Sequence, residues 1–190
     1  MPHDPNKLTE ATESAVAAER ATGAPAELLL AQWALESAWG DHQPGNNCFG
    51  IKQYPGCYGR QLLRTREWFT KSEVADFLAK GDGRSATLDP TSTVVTGSGR
   101  EKYIVEDFFA TFPTLAVCFE KRAQLFKAGR YKVFADAFEQ DGDLGKLIHG
   151  IGPIYATAPD YATTLLKIIN QKNVSSQIAV ARGKPPEVLA

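Results

Sequence analysis

Residues 25–50, PAELLLAQWALESAWGDHQPGNNCFG, contain the helix around which the rest of the chain is expected to pack. Pro25 suits the first helical position, where no amide hydrogen bond is needed, and Glu27 lies in the positive first turn. Gly40 is a typical helix stop. Between these residues nearly every face is apolar, and a helix of that kind lies inside a protein core. The stretch therefore predicts a buried helix between Pro25 and Gly40.

One carboxylate, Glu36, lies near the end of this apolar helix, and helical spacing places Gln32, Trp33 and Trp39 on its face. Desolvation beside indole rings and the negative end of the helix dipole both disfavour the anion. We therefore expect the pKa of Glu36 to be raised, so that its carboxyl group can donate a proton near neutral pH. A glutamate in an apolar pocket beside a tryptophan has this role in lysozyme. The alternative is a glutamate that extends from the helix end into water.

The residues around and after Glu36 carry a family resemblance. The sequence contains E-S-x-W-G at residues 36–40 and N-x-F-G-I-K at residues 47–52. These motifs resemble those of the bacterial peptidoglycan N-acetylglucosaminidases, glycoside hydrolase family 73, which include autolysins and the flagellar-rod peptidoglycan hydrolase. A Glu-Ser pair on a buried helix also occurs in lytic transglycosylases and goose-type lysozymes, but the N-x-F-G-I-K segment favours the glucosaminidases.

A second carboxylate lies on a predicted strand, residues 61–69. The segment Thr-Arg-Glu-Trp within it resembles the family's Thr-x-Glu-aromatic segment, which implies that Glu67 is the second acid. Such a carboxylate could position or deprotonate a water molecule opposite the scissile bond. The alternative is an exposed strand glutamate that pairs with Arg64 or Arg66, an arrangement that is common and weak.

A third segment, YATAPDYA at residues 155–162, resembles the family's Y-A-T-D-P-x-Y-A. The resemblance implies that Tyr155 lines the cleft near the acid, where a phenol could bind the substrate N-acetyl group or orient water. From the sequence alone, a tyrosine that packs at a helix entry is an equal alternative.

The resemblance implies an α+β, mainly α fold, in which a lysozyme-like helical domain and a small β-lobe have a substrate groove between them. It also implies a peptidoglycan hydrolase, an endo-β-N-acetylglucosaminidase that cleaves the β-1,4 bond between N-acetylglucosamine and N-acetylmuramic acid. Glu36 would be the general acid, Glu67 the base or electrostatic partner, and Tyr155 would position the N-acetyl group. Whether the configuration is inverted or retained stays open. The predicted substrate-binding residues are Trp39, Asn47, Phe49, Trp68 and Tyr161.

Two alternatives remain at this point. One is a muramidase or lytic transglycosylase on the same fold, which would cut the other glycosidic bond. The other is a non-catalytic cell-wall-binding module. The presence of Glu36 argues against the binding module, and that of Glu67 argues against the transglycosylase.

The local patterns divide the chain into a helix within residues 1–24, one domain at 25–172 and a polar tail at 173–190. The β-lobe is expected at about 60–112, with an insertion at about 71–98 relative to the family pattern. The predicted elements are helices at 8–21, 71–80 (capped by Ser72), 114–127, 131–138, 144–149 and 161–169, and strands at 61–69 and 101–112.

The net charge of −1 gives no basic surface for nucleic acid, and no stretch approaches 18 apolar residues, so membrane insertion is not expected. No His/Cys cluster has metal-ligand spacing, so no metal or cofactor is predicted.

The polar N-terminus lacks an apolar signal region. An enzyme acting in the cell wall or periplasm would then leave by a non-Sec route, by phage-type release, or belong to a longer chain. A monomer is expected.

The three cysteines leave at least one thiol unpaired. Cys48 and Cys57 flank a short Gly/Pro loop and could form a disulfide in an oxidising compartment, or stay reduced. Cys118 lies in an apolar stretch and is expected to be a buried free thiol.

Overall fold

The computed structural model describes residues 4–155 and 160–183, which form two compact units. The helical unit is formed by the described residues up to 50 and from 112 onward, and the β unit by residues 51–111. The elements in chain order are α1 (Pro5–Thr22), α2 (Ala26–Glu36), β1 (Gly59–Phe69), α3 (Lys71–Leu78), β2 (Ser85–Leu88), β3 (Glu101–Thr111), α4 (Leu115–Phe126), a 3₁₀ turn (Gly129–Tyr131), α5 (Lys132–Asp141), α6 (Leu144–Tyr155), α7 (Tyr161–Ile169) and α8 (Lys172–Gly183). The predicted α+β, mainly α class is confirmed.

Helix α2 is the centre of the helical unit. Eight of its eleven residues are buried, and it packs against α1, α4, α7 and α8. Leu28, Leu29 and Leu30 are completely inaccessible to solvent, and burying each leucine contributes roughly 1.5–3 kcal/mol of hydrophobic stabilisation. The predicted buried helix is confirmed.

The end of α2 differs from the prediction. The helix stops at Glu36 rather than at Gly40, and the last two helical residues, Leu35 and Glu36, are exposed. Ala38 and Trp39 have positive φ angles of 49° and 62°, so the chain turns before it reaches the glycine. Left-handed backbone at two residues with side chains is unfavourable and is retained only where the surroundings enforce it. The apolar pattern alone could not place this boundary.

The β unit contains a three-stranded antiparallel sheet with the order β1-β3-β2. Glu67 of β1 lies opposite Tyr103 of β3 in this pairing. Strand β2 was not predicted, because its four residues are mostly exposed and show no apolar alternation. Helix α3 is capped by Thr70 in a reciprocal capping box with Glu73, not by Ser72 as predicted.

The C-terminal region also differs from the prediction. A polar tail was expected from residue 173, but α8 continues to Gly183, and residues 184–190 lie outside the described part. Val174, Ile178 and Ala181 are buried at helical spacing within an otherwise polar stretch. Arg182 anchors the helix end through ion pairs to two carboxylates, each at 2.7 Å, in Glu19 and Glu27. These three buried side chains were too few for the sequence to reveal the packing of this helix.

Helix α6 continues through Pro153 to Tyr155, whereas the sequence predicted its end at His149. Its buried residues Leu147, Ile148 and Ile151 continue the same inward face past the predicted end.

Among the residues that the structure describes, no helix has the length and apolarity that a bilayer crossing requires.

In the structure Cys48 contacts Cys118 and forms no disulfide with Cys57. The Cys48 thiol is buried and donates a hydrogen bond to the Cys118 thiol of α4, with the two sulfur atoms 3.7 Å apart. Cys57 is half-buried, and all three thiols are reduced in the structure. Burial raises the pKa of the Cys48 thiol, whereas the hydrogen bond from Cys48 lowers the pKa of the Cys118 thiol. The distance along the chain between Cys48 and Cys57 was therefore a poor guide to pairing.

Oxidation of the folded protein with diamide is expected to join Cys48 to Cys118. The two thiols give two protons and two electrons to diamide, and sulfur atoms 3.7 Å apart need only small rotations to bond. Peptide mapping by mass spectrometry without reduction would identify the bridge. The bridge should persist in Cys57→Ser and disappear in Cys118→Ser. A Cys48–Cys57 bridge in the wild type would contradict the expectation.

Candidate active site

The Glu36 carboxylate is placed by the turn that ends α2. The Ser37 hydroxyl donates to the Trp33 carbonyl at 2.6 Å and accepts from the Gly40 amide at 2.7 Å. One buried side chain thus satisfies a carbonyl of the last helical turn and an amide beyond it. This double contact fixes the chain direction immediately after Glu36.

The two tryptophans near Glu36 pack on each other. Their ring centroids are 6.1 Å apart in an edge-to-face arrangement. Trp33 is buried, and its indole nitrogen donates to the Gln43 side chain at 3.1 Å, whereas Trp39 is half-buried. The rings therefore brace the turn after Glu36, and Trp39 keeps part of its surface open to solvent.

The pKa of Glu36 is raised above its ordinary value of 4.5, primarily because protein atoms around the carboxyl group displace water. Three groups oppose this rise: the Arg122 guanidinium through its charge, and the hydroxyls of Tyr155 and Tyr161 through hydrogen bonds. The residue as a whole is exposed. The carboxyl group, although partly desolvated, can therefore still be reached from solvent. The pKa shift therefore has the predicted direction, and Arg122, Tyr155 and Tyr161 limit its size.

Tyr155 ends α6 and Tyr161 begins α7, so both flank residues 156–159, which lie outside the described part. Their ring centroids are 5.2 Å apart. Burial raises the pKa of Tyr155 to about 12 and also raises the pKa of Tyr161. Both phenols therefore carry their protons at neutral pH and can donate hydrogen bonds to Glu36 or to a ligand.

Two residues of this site were not predicted as functional. Gln32 is buried one helical turn before Glu36 and donates to the Tyr161 hydroxyl at 2.9 Å. Arg122 of α4 is also buried and donates from Nε to the Gln32 carbonyl oxygen at 3.1 Å. A glutamine inside an apolar helix, and an arginine one turn after Cys118 on an inward face, were the available signals. Neither signal reveals that the two residues meet.

Glu67 lies in the β unit and forms an ion pair with Lys52, the last residue of the N-x-F-G-I-K segment, at 2.9 Å. Lys52 also bonds Asp107 at 2.8 Å, and Arg84 holds the other oxygen of Asp107 at 3.1 Å. The expected alternative partners are not used, since Arg66 pairs with Asp89 instead. Glu67 therefore belongs to a chain of alternating charges that fixes the Lys52 ammonium group.

The predicted sugar-contacting residues divide by their burial. Trp68 is 42% exposed on β1, with the Lys102 ammonium group 5.7 Å from its ring, so its surface is open to a ligand. Phe49 is buried against Phe119 with ring centroids 4.9 Å apart, which removes it from the candidates for sugar stacking. Asn47 is buried as well.

Within the described ranges, no group of three or more His, Cys, Asp or Glu side chains could hold a metal ion.

Comparison with known proteins identifies a family. The family model described as mannosyl-glycoprotein endo-beta-N-acetylglucosaminidase, Glucosaminidase, matches residues 12–174 of the chain. A comparison with curated protein sequences found no match.

Three solved structures share the fold. A peptidoglycan hydrolase from Sphingomonas sp. A1 is 22% identical, covers 96% of this chain and 98% of its own, and has a TM-score of 0.59. The catalytic domain of the autolysin Auto from Listeria monocytogenes is 18% identical over 93% and 90% of the two chains, with a TM-score of 0.62. The glycoside hydrolase domain of FlgJ from Salmonella typhimurium is 20% identical over 92% and 91%, with a TM-score of 0.57. At these identities the likeness establishes the fold.

Gly40→Ala is expected to destabilise the protein more than Gly45→Ala. Both glycines have positive φ angles, 85° and 58°, so either alanine introduces backbone strain of about 1–2 kcal/mol. A Cβ on Gly40 would also lie 3.0 Å from the Trp33 ring, whereas one on Gly45 meets nothing within 4 Å. We expect the steric overlap to cost about 1–3 kcal/mol more in the free energy of unfolding, measured by urea denaturation. Equal losses in the two variants would show that the Trp33 contact does not constrain this turn.

Glu36→Gln is expected to raise the melting temperature at neutral pH. Because the folded state raises the pKa of Glu36, it binds more protons than the unfolded state at pH values above 4.5, so stability falls as pH rises in that range. The glutamine variant lacks this loss, and its advantage should vanish below about pH 4. Calorimetry of both proteins between pH 3.5 and pH 8, about the range in which a raised carboxyl pKa acts, tests this. A constant difference across the range would contradict it.

Proposed function

Since the chain belongs to the glucosaminidase family, whose model matches residues 12–174, we propose that it cleaves the β-1,4 bond between N-acetylglucosamine and N-acetylmuramic acid in peptidoglycan. The protein is a glycoside hydrolase by this membership. Peptidoglycan as the substrate is supported by the proteins that share this fold, a peptidoglycan hydrolase and an autolysin among them. The enzyme would act in the cell wall or periplasm.

The observation that carries the proposal is the environment of Glu36. Its carboxyl group is desolvated enough to raise the pKa and yet reachable from solvent, as a general acid must be. In the proposed reaction Glu36 gives its proton to the glycosidic oxygen, the bond to the anomeric carbon breaks, and the departing sugar leaves as an alcohol. Positive charge develops on the remaining sugar ring as the bond breaks, and a water molecule that gives up one proton finally bonds to the anomeric carbon.

Glu67 is proposed as the base or electrostatic partner in this reaction. A carboxylate can accept a proton from the attacking water or stabilise the oxocarbenium-like transition state. Its ion pair with Lys52 is consistent with the ionised form that either task requires. The bonds of Lys52 to Asp107 and of Asp107 to Arg84 would restrict the positions that Glu67 can adopt.

Tyr155 is proposed to bind the substrate N-acetyl group. Its hydroxyl keeps its proton at neutral pH, because burial raises its pKa to about 12, and so it can donate to an amide carbonyl. Trp39 and Trp68 each leave part of an indole ring exposed, which suits stacking against the apolar face of a sugar. Tyr161, which accepts a hydrogen bond from Gln32, is proposed to support the acid. Asn47 is buried and its backbone nitrogen donates to the Pro44 carbonyl at 3.2 Å, so it is proposed to hold the turn at residues 44–47.

A digest of purified peptidoglycan with sugar-end analysis by mass spectrometry tests the proposal. The wild type should release products with reducing-end N-acetylglucosamine, and Glu36→Gln should lower the rate by at least about 100-fold, because the proton donor is lost. Glu67→Gln should lower it by a similar order if a second carboxylate takes part. Glu10→Gln, which removes an exposed carboxylate of α1, is the matched control and should keep full activity.

The products also separate the alternatives. Reducing-end muramic acid would indicate a muramidase, and anhydromuramic ends a lytic transglycosylase; either result would overturn the proposed bond. A folded wild type that binds cell wall without releasing products would indicate a binding module. Products from mannosyl-glycoprotein glycans but not from peptidoglycan would show that the substrate is a mannosyl-glycoprotein, as in the description of the family.

A further inference from the structure

Arg122 is a buried cation that pairs with no carboxylate of the residues that the structure describes. Only 6% of the Arg122 surface is exposed to solvent. Burying a charge is unfavourable unless a partner compensates for it. Within residues 4–155 and 160–183, its hydrogen bond goes to the neutral amide of Gln32, and Nη2 has no hydrogen-bond partner. A charge held in this way requires another source of stabilisation.

Aromatic rings supply part of that stabilisation. The guanidinium carbon lies 4.2 Å from the ring centroid of Tyr155, 4.6 Å from that of Phe126 and 5.7 Å from that of Phe49. Cation–π contacts of this kind are attractive, and more so where the cation is shielded from water. They surround the guanidinium with ring faces, which keep water away and leave its positive charge little screened.

The charge of Arg122 acts on the Glu36 carboxyl group. It lowers the pKa of Glu36 against the larger effect of desolvation, and it also lowers those of Tyr155 and Tyr161 against theirs. Its charge also favours the ionised forms of the Cys48 and Cys118 thiols, and Tyr131 has a smaller, opposite effect on the pKa of Tyr155. Among these groups, Glu36 alone is a carboxylate.

A directional chain of hydrogen bonds runs from the same arginine. Nε of Arg122 donates to the Gln32 carbonyl oxygen, and the Gln32 amide donates to the Tyr161 oxygen. Because Tyr161 accepts this bond, its own proton is available for Glu36. Gln32 and Glu36 are four residues apart on α2 and therefore share a helix face.

We propose that Arg122 is the internal counter-cation of Glu36: it stabilises the carboxylate that remains after proton donation and, through Gln32 and Tyr161, keeps that carboxyl group oriented. Arg122 is thus a positioning residue and does not contact substrate. When Glu36 gives up its proton, negative charge appears on the carboxyl group, and a fixed cation in a little-screened environment favours that charge. The aromatic rings hold the cation in place before the reaction begins.

The catalytic part of this inference rests on the proposed function, so its first test is independent of activity. The carboxyl carbon of Glu36 is followed by carbon-13 NMR against pH in the wild type, Arg122→Met and Arg122→Lys, with Glu36→Gln to assign the signal. Removing the cation should move the titration of Glu36 to higher pH. The lysine variant keeps the charge and should titrate closer to the wild type.

The second test uses the rate of glycan cleavage against pH. In Arg122→Met the basic limb of the profile, where the acid loses its proton, should move to higher pH, and kcat should fall about tenfold. Lys121→Met removes the same charge from the neighbouring position on α4 and should change neither. Should Arg122→Met fail to fold, Arg122→Gln removes the charge while keeping a hydrogen-bond donor.

An unchanged Glu36 titration in a folded variant without the cation would overturn the inference, whatever the activity. Wild-type protein without any glycan cleavage would overturn the proposed function instead and leave the NMR result to decide on Arg122. A fall in kcat with an unmoved pH profile would assign Arg122 a purely structural role and would also contradict the inference.

Discussion

The structure depends on a buried helix that ends in an exposed carboxyl group. Helix α2 packs against four other helices, and eight of its eleven residues are buried. Its last residue, Glu36, is nevertheless exposed to solvent. The turn after it is held by Ser37 and constrained by Gly40, whose position leaves no room for a side chain against Trp33. Packing of the helix thereby fixes where the proposed acid lies, and rigid placement is what proton transfer requires.

That placement lowers the stability of the protein and suits the proposed role of Glu36 as a proton donor. Desolvation makes the ionised form of Glu36 unfavourable, and a buried arginine and glutamine in the same core are unfavourable unless their polar atoms find partners. The protein resolves these conflicts together, because Arg122 bonds Gln32, Gln32 bonds Tyr161, and the tyrosines and the cation oppose the desolvation of Glu36. Arg122, Gln32 and Tyr161 thus form one connected hydrogen-bond network.

The β unit uses charge pairs for a similar purpose. Lys52 follows the loop that comes after α2, and its ammonium group lies 4.1 Å from the Phe109 ring centroid while bonding both Glu67 and Asp107. Exposed ion pairs contribute little to stability, so this cluster is better explained by the orientation it gives to its members. The N-x-F-G-I-K segment therefore contains residues of two kinds: Phe49 packs in the core, and Lys52 pairs with the proposed second acid.

The sequence by itself determined the buried helix, the position of Glu36 on it and the family, since these depend on local periodicity and on short motifs. It also placed Glu67 on a strand, but it offered Arg64 or Arg66 as partner where the structure has Lys52. Only the tertiary structure decided that Arg122 meets Gln32 across 90 positions of sequence and that Cys48 meets Cys118 across 70. Local spacing fixes which side chains share a helix face, whereas the contact between two faces depends on how distant segments pack together.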